Sequence, residues 1–119
     1  MPICLVHYAK GRLEGDILSK LGPTIGESVA RALDVPSNPE LHLTPNKVEV
    51  RFSESGPYDT GHKDVGIMIY GNGGPERESN LKDRVAQIRK DVMMFLADYD
   101  RNLTVYIYVM LQKAEYLEI

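Results

Sequence analysis

Residues 103–111, Leu-Thr-Val-Tyr-Ile-Tyr-Val-Met-Leu, limit what this chain can fold into more than any other stretch. The run has the length of a β-strand, and successive side chains along a strand point to opposite faces. Val105, Ile107 and Val109 share one face, while Tyr106, Tyr108 and Met110 share the other. A strand that is apolar on both faces is normally covered on both. The rest of the chain must supply two covering layers, or leave one face to something outside it.

The rest supplies only one layer. Residues 1–8 are a strand-like apolar run, and residues 64–70 form a third apolar strand. Residues 47–52 alternate, with Val48, Val50 and Phe52 on the buried side. Between the first two strands, Leu18, Leu21, Ile25, Val29 and Leu33 recur at helical spacing. Asp16 is the candidate N-cap of that helix, and Gly22-Pro23 predicts a kink or a restart. Residues 34–36 end the helix, and the connector 36–46, which carries Pro36, Pro39 and Pro45, is stiff and extended. Residues 53–63 form a loop. After the glycine turn 71–74, Pro75 suits the first position of a second helix, and Glu76 and Glu78 complement its dipole. Leu81, Val85, Ile88, Val92 and Phe95 form the apolar stripe of that helix, and residues 98–102 end it. The tail, 112–119, reads as a short added strand or a frayed end.

The order is β-α-β twice, with halves at about residues 1–54 and 64–111. This defines an α+β fold, a four-stranded sheet with two helices on one face, whose crossovers are right-handed. The second apolar face is left for another copy of the same chain.

With 119 residues, 43% of them hydrophobic and 26% charged, the chain is expected to form one domain around a single core. A formal net charge of −3 without a basic cluster argues against nucleic acid as a partner. Cys4 is the only cysteine, which excludes an internal disulfide and fits the reducing cytoplasm. The first apolar run is short for a signal peptide and lacks a basic lead. No run reaches the roughly 20 apolar residues of a membrane span.

The chemistry-bearing residue is Pro2. If Met1 is trimmed, Pro2 carries a free secondary amine. α-Amino groups titrate at roughly 7.7–8.0, and desolvation or a nearby cation lowers that value. Such an amine is a candidate base. The competing reading makes Pro2 a stiff residue at a strand start, where its missing N–H costs nothing. Gly71-Asn72-Gly73-Gly74 is a turn rather than a nucleotide loop, because Glu76 stands where a third glycine would and no Lys-Ser/Thr pair follows. His7, His42 and His62 lack metal-ligand spacing, so neither a metal nor a cofactor is expected. Cys4, near the start of a buried strand, reads as packing.

Pro2 at the head of the first strand, the doubled β-α-β and the uncovered apolar face together resemble the tautomerase superfamily. That group includes 5-carboxymethyl-2-hydroxymuconate isomerase and macrophage migration inhibitory factor. Residues 104–108 are similar to the late strand of the inhibitory factor, where a tyrosine in the place of Tyr106 lines the site. Residues 20–24, with Pro23, are similar to the first helix of the isomerase. Residues 46–50 match a strand start that carries arginine there and Lys47 here. Residues 71–84 match its glycine turn and helix start, which makes Arg77 the candidate anion-binding arginine. Residues 111–117 are similar to single-domain bacterial relatives. Val35 replaces a lysine of the inhibitory factor's site, and Tyr108 an asparagine.

The resemblance implies a homotrimer in which the prolyl nitrogen is general base for enol–keto interconversion of a small 2-oxo acid. Pro2 would be the base, with Tyr106 as donor to the enolate oxygen and Tyr108 beside it. Arg77, Arg51 or Lys47 would receive the substrate carboxylate. Lys47 and Arg51 read equally as solvated charges, and Tyr106 equally as interface packing. Retained Met1 would turn the nitrogen into an amide and leave a binding or scaffold trimer. Decarboxylation of a 3-oxo acid and hydrolytic dehalogenation are further reactions on the same proline.

Overall fold

The computed structural model describes residues 2–112; Met1 and the tail 113–119 lie outside the described residues. The elements run β1 (Ile3–Tyr8), α1 (Gly15–Leu33), β2 (Glu49–Glu54), β3 (Val65–Asn72), α2 (Pro75–Glu78), α3 (Leu81–Tyr99) and β4 (Val105–Gln112). The strands form one four-stranded sheet in the order β2-β1-β3-β4. β1 is parallel to β2, β3 is parallel to β4, and the central pair β1–β3 is antiparallel. Each half closes its own parallel pair, and the halves join along β1 and β3. This is the doubled architecture expected from the sequence.

One face of the sheet is covered by the two long helices. Cys4, Val6, Val65, Ile67 and Ile69 pack there against Leu21, Ile25, Val29 and Leu33 of α1 and Ile88, Val92 and Leu96 of α3. All of these side chains are buried. Val105, Ile107 and Val109 of β4 lie against the same core and are only half-buried. The helices are tied to each other by Asp91, whose carboxylate accepts from Ser28 Oγ at 2.7 Å, Arg31 Nη2 at 2.9 Å and Gln87 Nε2 at 2.9 Å.

Four local expectations change. Glu14, not Asp16, is the N-cap of α1; Asp16 sits in the first turn, where its charge meets the positive end of the dipole. α1 is continuous through Pro23, which excludes a restart there. Pro23 is exposed, so the carbonyl it leaves unpaired faces water, and Thr24 Oγ1 donates to the Lys20 carbonyl at 2.9 Å. The second helix does not run on from Pro75. A single turn, α2, stops at Glu78, and Asn80 (φ −133°, ψ 32°) leaves the helical region before α3 begins. Lys47 lies in a 3-10 turn, Pro45–Lys47, and β2 starts beyond it at Glu49.

The other face of the sheet carries three cross-strand rows. The register sets Glu49, Ile3, Tyr70 and Met110 in one row, and Arg51, Leu5, Met68 and Tyr108 in the next. Ser53, His7, Gly66 and Tyr106 form the third. The β3–β4 side is apolar and the β2 edge is polar. Tyr108 is 58% exposed and Ile3 37%, so a broad part of this apolar surface meets water in the single chain.

Candidate active site

Pro2 is buried at the head of a central strand. Its carbonyl accepts the Glu49 N–H at 3.0 Å, which pins the residue to the start of β2. Lys47 is exposed in the turn just before that strand. Arg51 lies two residues further along, on the open face, with Nε and Nη2 both on Glu49 Oε1 at 2.9 and 2.8 Å. Its side chain is 68% exposed, so a surface ion pair of this kind adds little stability.

Arg77 has a different role from the one its sequence context suggests. It is 2% exposed. Its Nε donates to the Leu33 carbonyl at 2.7 Å, Nη1 to Asn72 at 2.7 Å and Nη2 to Leu41 at 2.9 Å. Arg84 Nη1 adds bonds to the carbonyls of Ala32 and Asp34 at 2.9 and 3.0 Å. Two arginines of the second half thus cap the C-terminal end of α1, where the last carbonyls lack helical partners and the dipole is negative. Burial, with the neighbouring Arg84, pulls the Arg77 guanidinium below its ordinary value. A guanidinium sealed in this way has no open face for a substrate, and Arg77 is not kept as the carboxylate receptor.

The register also separates Pro2 from the tyrosines. Tyr106 stands in the row of His7, five residues along β1 from Pro2 and two strands across. At ~3.3 Å per residue and ~4.8 Å per strand, this puts the two backbones nearly 20 Å apart. Tyr108 sits one row closer and is tilted against Tyr106, with ring centroids 5.2 Å apart.

A depression lies at each end of the sheet. At the Pro2 end, one of about 410 Å³ is lined by Glu40, Leu41, the 72–74 turn, Glu78 and Gln112. Its two carboxylates do not favour an anion. At the opposite end, a groove of about 360 Å³ lies on the open face beneath the 55–63 loop. His7, Ser53, Gly66, Met68 and Tyr106 line it, together with His62 and Lys63 of the loop. His7 Nδ1 and Ser53 Oγ are hydrogen-bonded at 2.5 Å. Gly66 makes room for the phenol of Tyr106, since a Cβ there would stand 2.4 Å from the Tyr106 hydroxyl. The phenol ring therefore lies across β3 towards His7.

Sequence reading did not find this groove. His7, Ser53, Gly66 and Tyr106 are far apart in the chain, and only the pairing register aligns them. Cys4 is buried, and burial pushes its thiol up to about 12, which leaves it without nucleophilic character at neutral pH. Among the described residues no cluster of His, Cys, Asp and Glu is suited to a metal ion. No described helix is long and apolar enough to cross a membrane.

This architecture is the tautomerase fold. A fused 4-OT solved as an asymmetric trimer superposes on it with a TM-score of 0.66 over 98% of this chain and 91% of its own, at 12% identity. A 5-carboxymethyl-2-hydroxymuconate delta-isomerase gives 0.64 over 100% and 86%, at 11% identity. A malonate semialdehyde decarboxylase, whose hydratase activity is also described, gives 0.60 over 93% and 84%, at 14% identity. No protein family and no curated protein sequence matches the chain.

Proposed function

We propose that the protein is a tautomerase that interconverts the enol and keto forms of a small 2-oxo acid, with the amine of Pro2 as general base. The observation that carries this reading is the position of Pro2 in a tautomerase fold. It is buried at the head of a central strand and fixed through its carbonyl. Solved proteins of this fold include an isomerase and a decarboxylase.

Once Met1 is removed, desolvation disfavours the protonated amine and leaves the neutral base in place at working pH. The base takes a proton from the enol oxygen or from the carbon next to the carbonyl, and the conjugate ammonium returns it to the other position. The developing enolate needs a donor, and Tyr106 is the phenol assigned to it. Within one chain Tyr106 is too far from Pro2 to act. The site is accordingly built between copies of a homotrimer, Pro2 from one and Tyr106 from the next. The open apolar face of β3 and β4, with Tyr108 and Met110, supplies the contact surface. Lys47 and Arg51, both exposed, stand near the Pro2 end and orient incoming anions.

Intact mass establishes whether the N-terminus is Pro2, and ketonisation of phenylenolpyruvate is then followed by ultraviolet absorbance. Pro2→Ala should lower kcat/KM by about 100-fold or more, within the range set by loss of a positioned general base. Equal rates for the two proteins would refute the proline mechanism and leave the fold as a scaffold. A Pro2-dependent decarboxylation without ketonisation would keep the base and change the substrate.

A further inference from the structure

With Arg77 committed to carbonyls, the carboxylate of a 2-oxo acid needs another receptor, and the groove beneath the 55–63 loop contains one. We infer that this groove is the carboxylate-binding half of the site. His7, held by Ser53, and Lys63 receive the anion, and a flat apolar substrate body lies against the Tyr106 ring and Met68. The assignment rests on the proposed reading in which Pro2 comes from a neighbouring copy.

Three features support it. The groove is pre-shaped, because the loop above it is tied down at its start. The Ser55 N–H reaches the Tyr8 carbonyl at 2.9 Å, and the Lys10 N–H reaches Ser55 Oγ at 3.0 Å. Preformed clefts of about this volume, apolar with a few convergent polar groups, are the usual form of small-ligand sites.

Its floor is flat and apolar. The Tyr106 ring lies over Gly66, which contributes no side chain, and Met68 lies one row further along the sheet. That shape suits a planar ring or a conjugated enol better than a branched aliphatic body.

The polar groups free to meet a ligand favour an anion. Ser53 engages Nδ1 of His7, which fixes the ring and leaves Nε2 as its other polar atom. Lys63 adds a cation from the loop. Two carboxylates also line the groove, but neither is aimed at its floor. Asp59 Oδ2 accepts the Gly56 N–H at 2.6 Å, inside the loop's own turn. Glu54 follows Ser53 on β2, and strand alternation sends its side chain to the opposite face.

The test is binding, read separately from turnover. 15N-labelled protein in its native assembly is titrated with benzoate and, in parallel, with benzylamine, which carries a similar ring and the opposite charge. Benzoate should shift the amides of Ser53, Gly66 and Tyr106, with a Kd of about 1 mM or below, the range open to so small a ligand. Benzylamine should leave these amides in place. His7→Gln should weaken benzoate about ten-fold, and Lys63→Gln about three-fold, as charge-assisted hydrogen bonds are lost. Lys63 is exposed, so its replacement leaves the fold intact. In turnover the same variants should raise KM more than they lower kcat.

Benzoate leaving the three amides unmoved would overturn the inference, as would benzylamine binding in its place. So would wild-type affinity in both variants. Benzoate binding in a protein whose ketonisation does not depend on Pro2 would keep the groove and sink the proline mechanism. Pro2-dependent turnover with unchanged KM in both variants would do the reverse.

Discussion

The two ends of the sheet are built for different purposes. At the Pro2 end, the buried polar groups are committed to structure. The Pro2 carbonyl accepts from the Glu49 N–H, and Arg77 and Arg84 donate to carbonyls at the end of α1 and in the segments beside it. At the His7 end, a hydroxyl, an imidazole and a phenol share one row on the open face, the phenol lying over Gly66. One end ties its backbone with a buried and a partly buried arginine, and it holds the candidate base. The other is open and polar, and it holds the groups proposed to receive the carboxylate. Because the two ends belong to opposite termini of β1, a site that uses both must draw on two chains.

The largest effect expected from breaking this contrast is at Arg77. Replacement by Ala strands two buried carbonyls and a partly buried third, and opens a cavity where the two halves meet. Losing that many satisfied groups should cost about 3 kcal/mol or more, read from urea unfolding. A variant that unfolds like wild type but shows a raised KM would return Arg77 to the substrate site and erase the distinction between the ends.

A smaller effect is expected at the His7 end, where Asp64 ties the start of β3 to β4. Its Oδ2 accepts the Thr104 N–H at 2.8 Å and Thr104 Oγ1 at 3.0 Å, and Arg12 Nε lies 3.2 Å from Oδ1. The Thr104 N–H bond, with the hydroxyl and the arginine, holds the Asp64 carboxyl below its ordinary range despite partial burial. A carboxylate whose pKa is lower folded than unfolded stabilises the fold fully above about pH 4, its ordinary value, and loses that contribution as pH falls through the folded value. Wild-type stability should therefore decline on acidification below about pH 4, and Asp64→Asn should flatten that decline while costing about 1 kcal/mol at neutral pH. An unchanged acid slope in Asp64→Asn would show that other carboxylates carry it.

Much of the fold was legible in the sequence because it rests on local periodicity. The helical stripe from Leu21 to Leu33 and the two-sided apolarity of residues 105–110 are set by residues a few positions apart. Pro23 does not restart α1, for a physical reason. It lies on the solvent side of α1, where a lost backbone bond is replaced by water. The break at Asn80 was hidden because Pro75 and the stripe from Leu81 each read correctly as helix. Arg77 looked like an anion site because it follows a glycine turn at the start of a helix. Only the tertiary structure shows that its side chain reaches back to the end of α1. The His7 groove depends wholly on register, which no local pattern specifies when β1 and β2 are separated by a long helix and connector.

Subunit mixing tests the shared site most directly. Pro2→Ala and Tyr106→Phe proteins are each assayed for phenylenolpyruvate ketonisation, then dissociated together in equal amounts, reassembled and assayed again. Both homotrimers should be impaired, the tyrosine variant by about 10- to 100-fold, the range for loss of a donor to a developing oxyanion. In the mixture, random assembly of a symmetric trimer leaves about one site in four with an intact proline and an intact neighbouring tyrosine, and activity should recover to about a quarter of wild type. A mixture no more active than the average of its two parents would place any functional Pro2–Tyr106 pair within one chain and contradict the account.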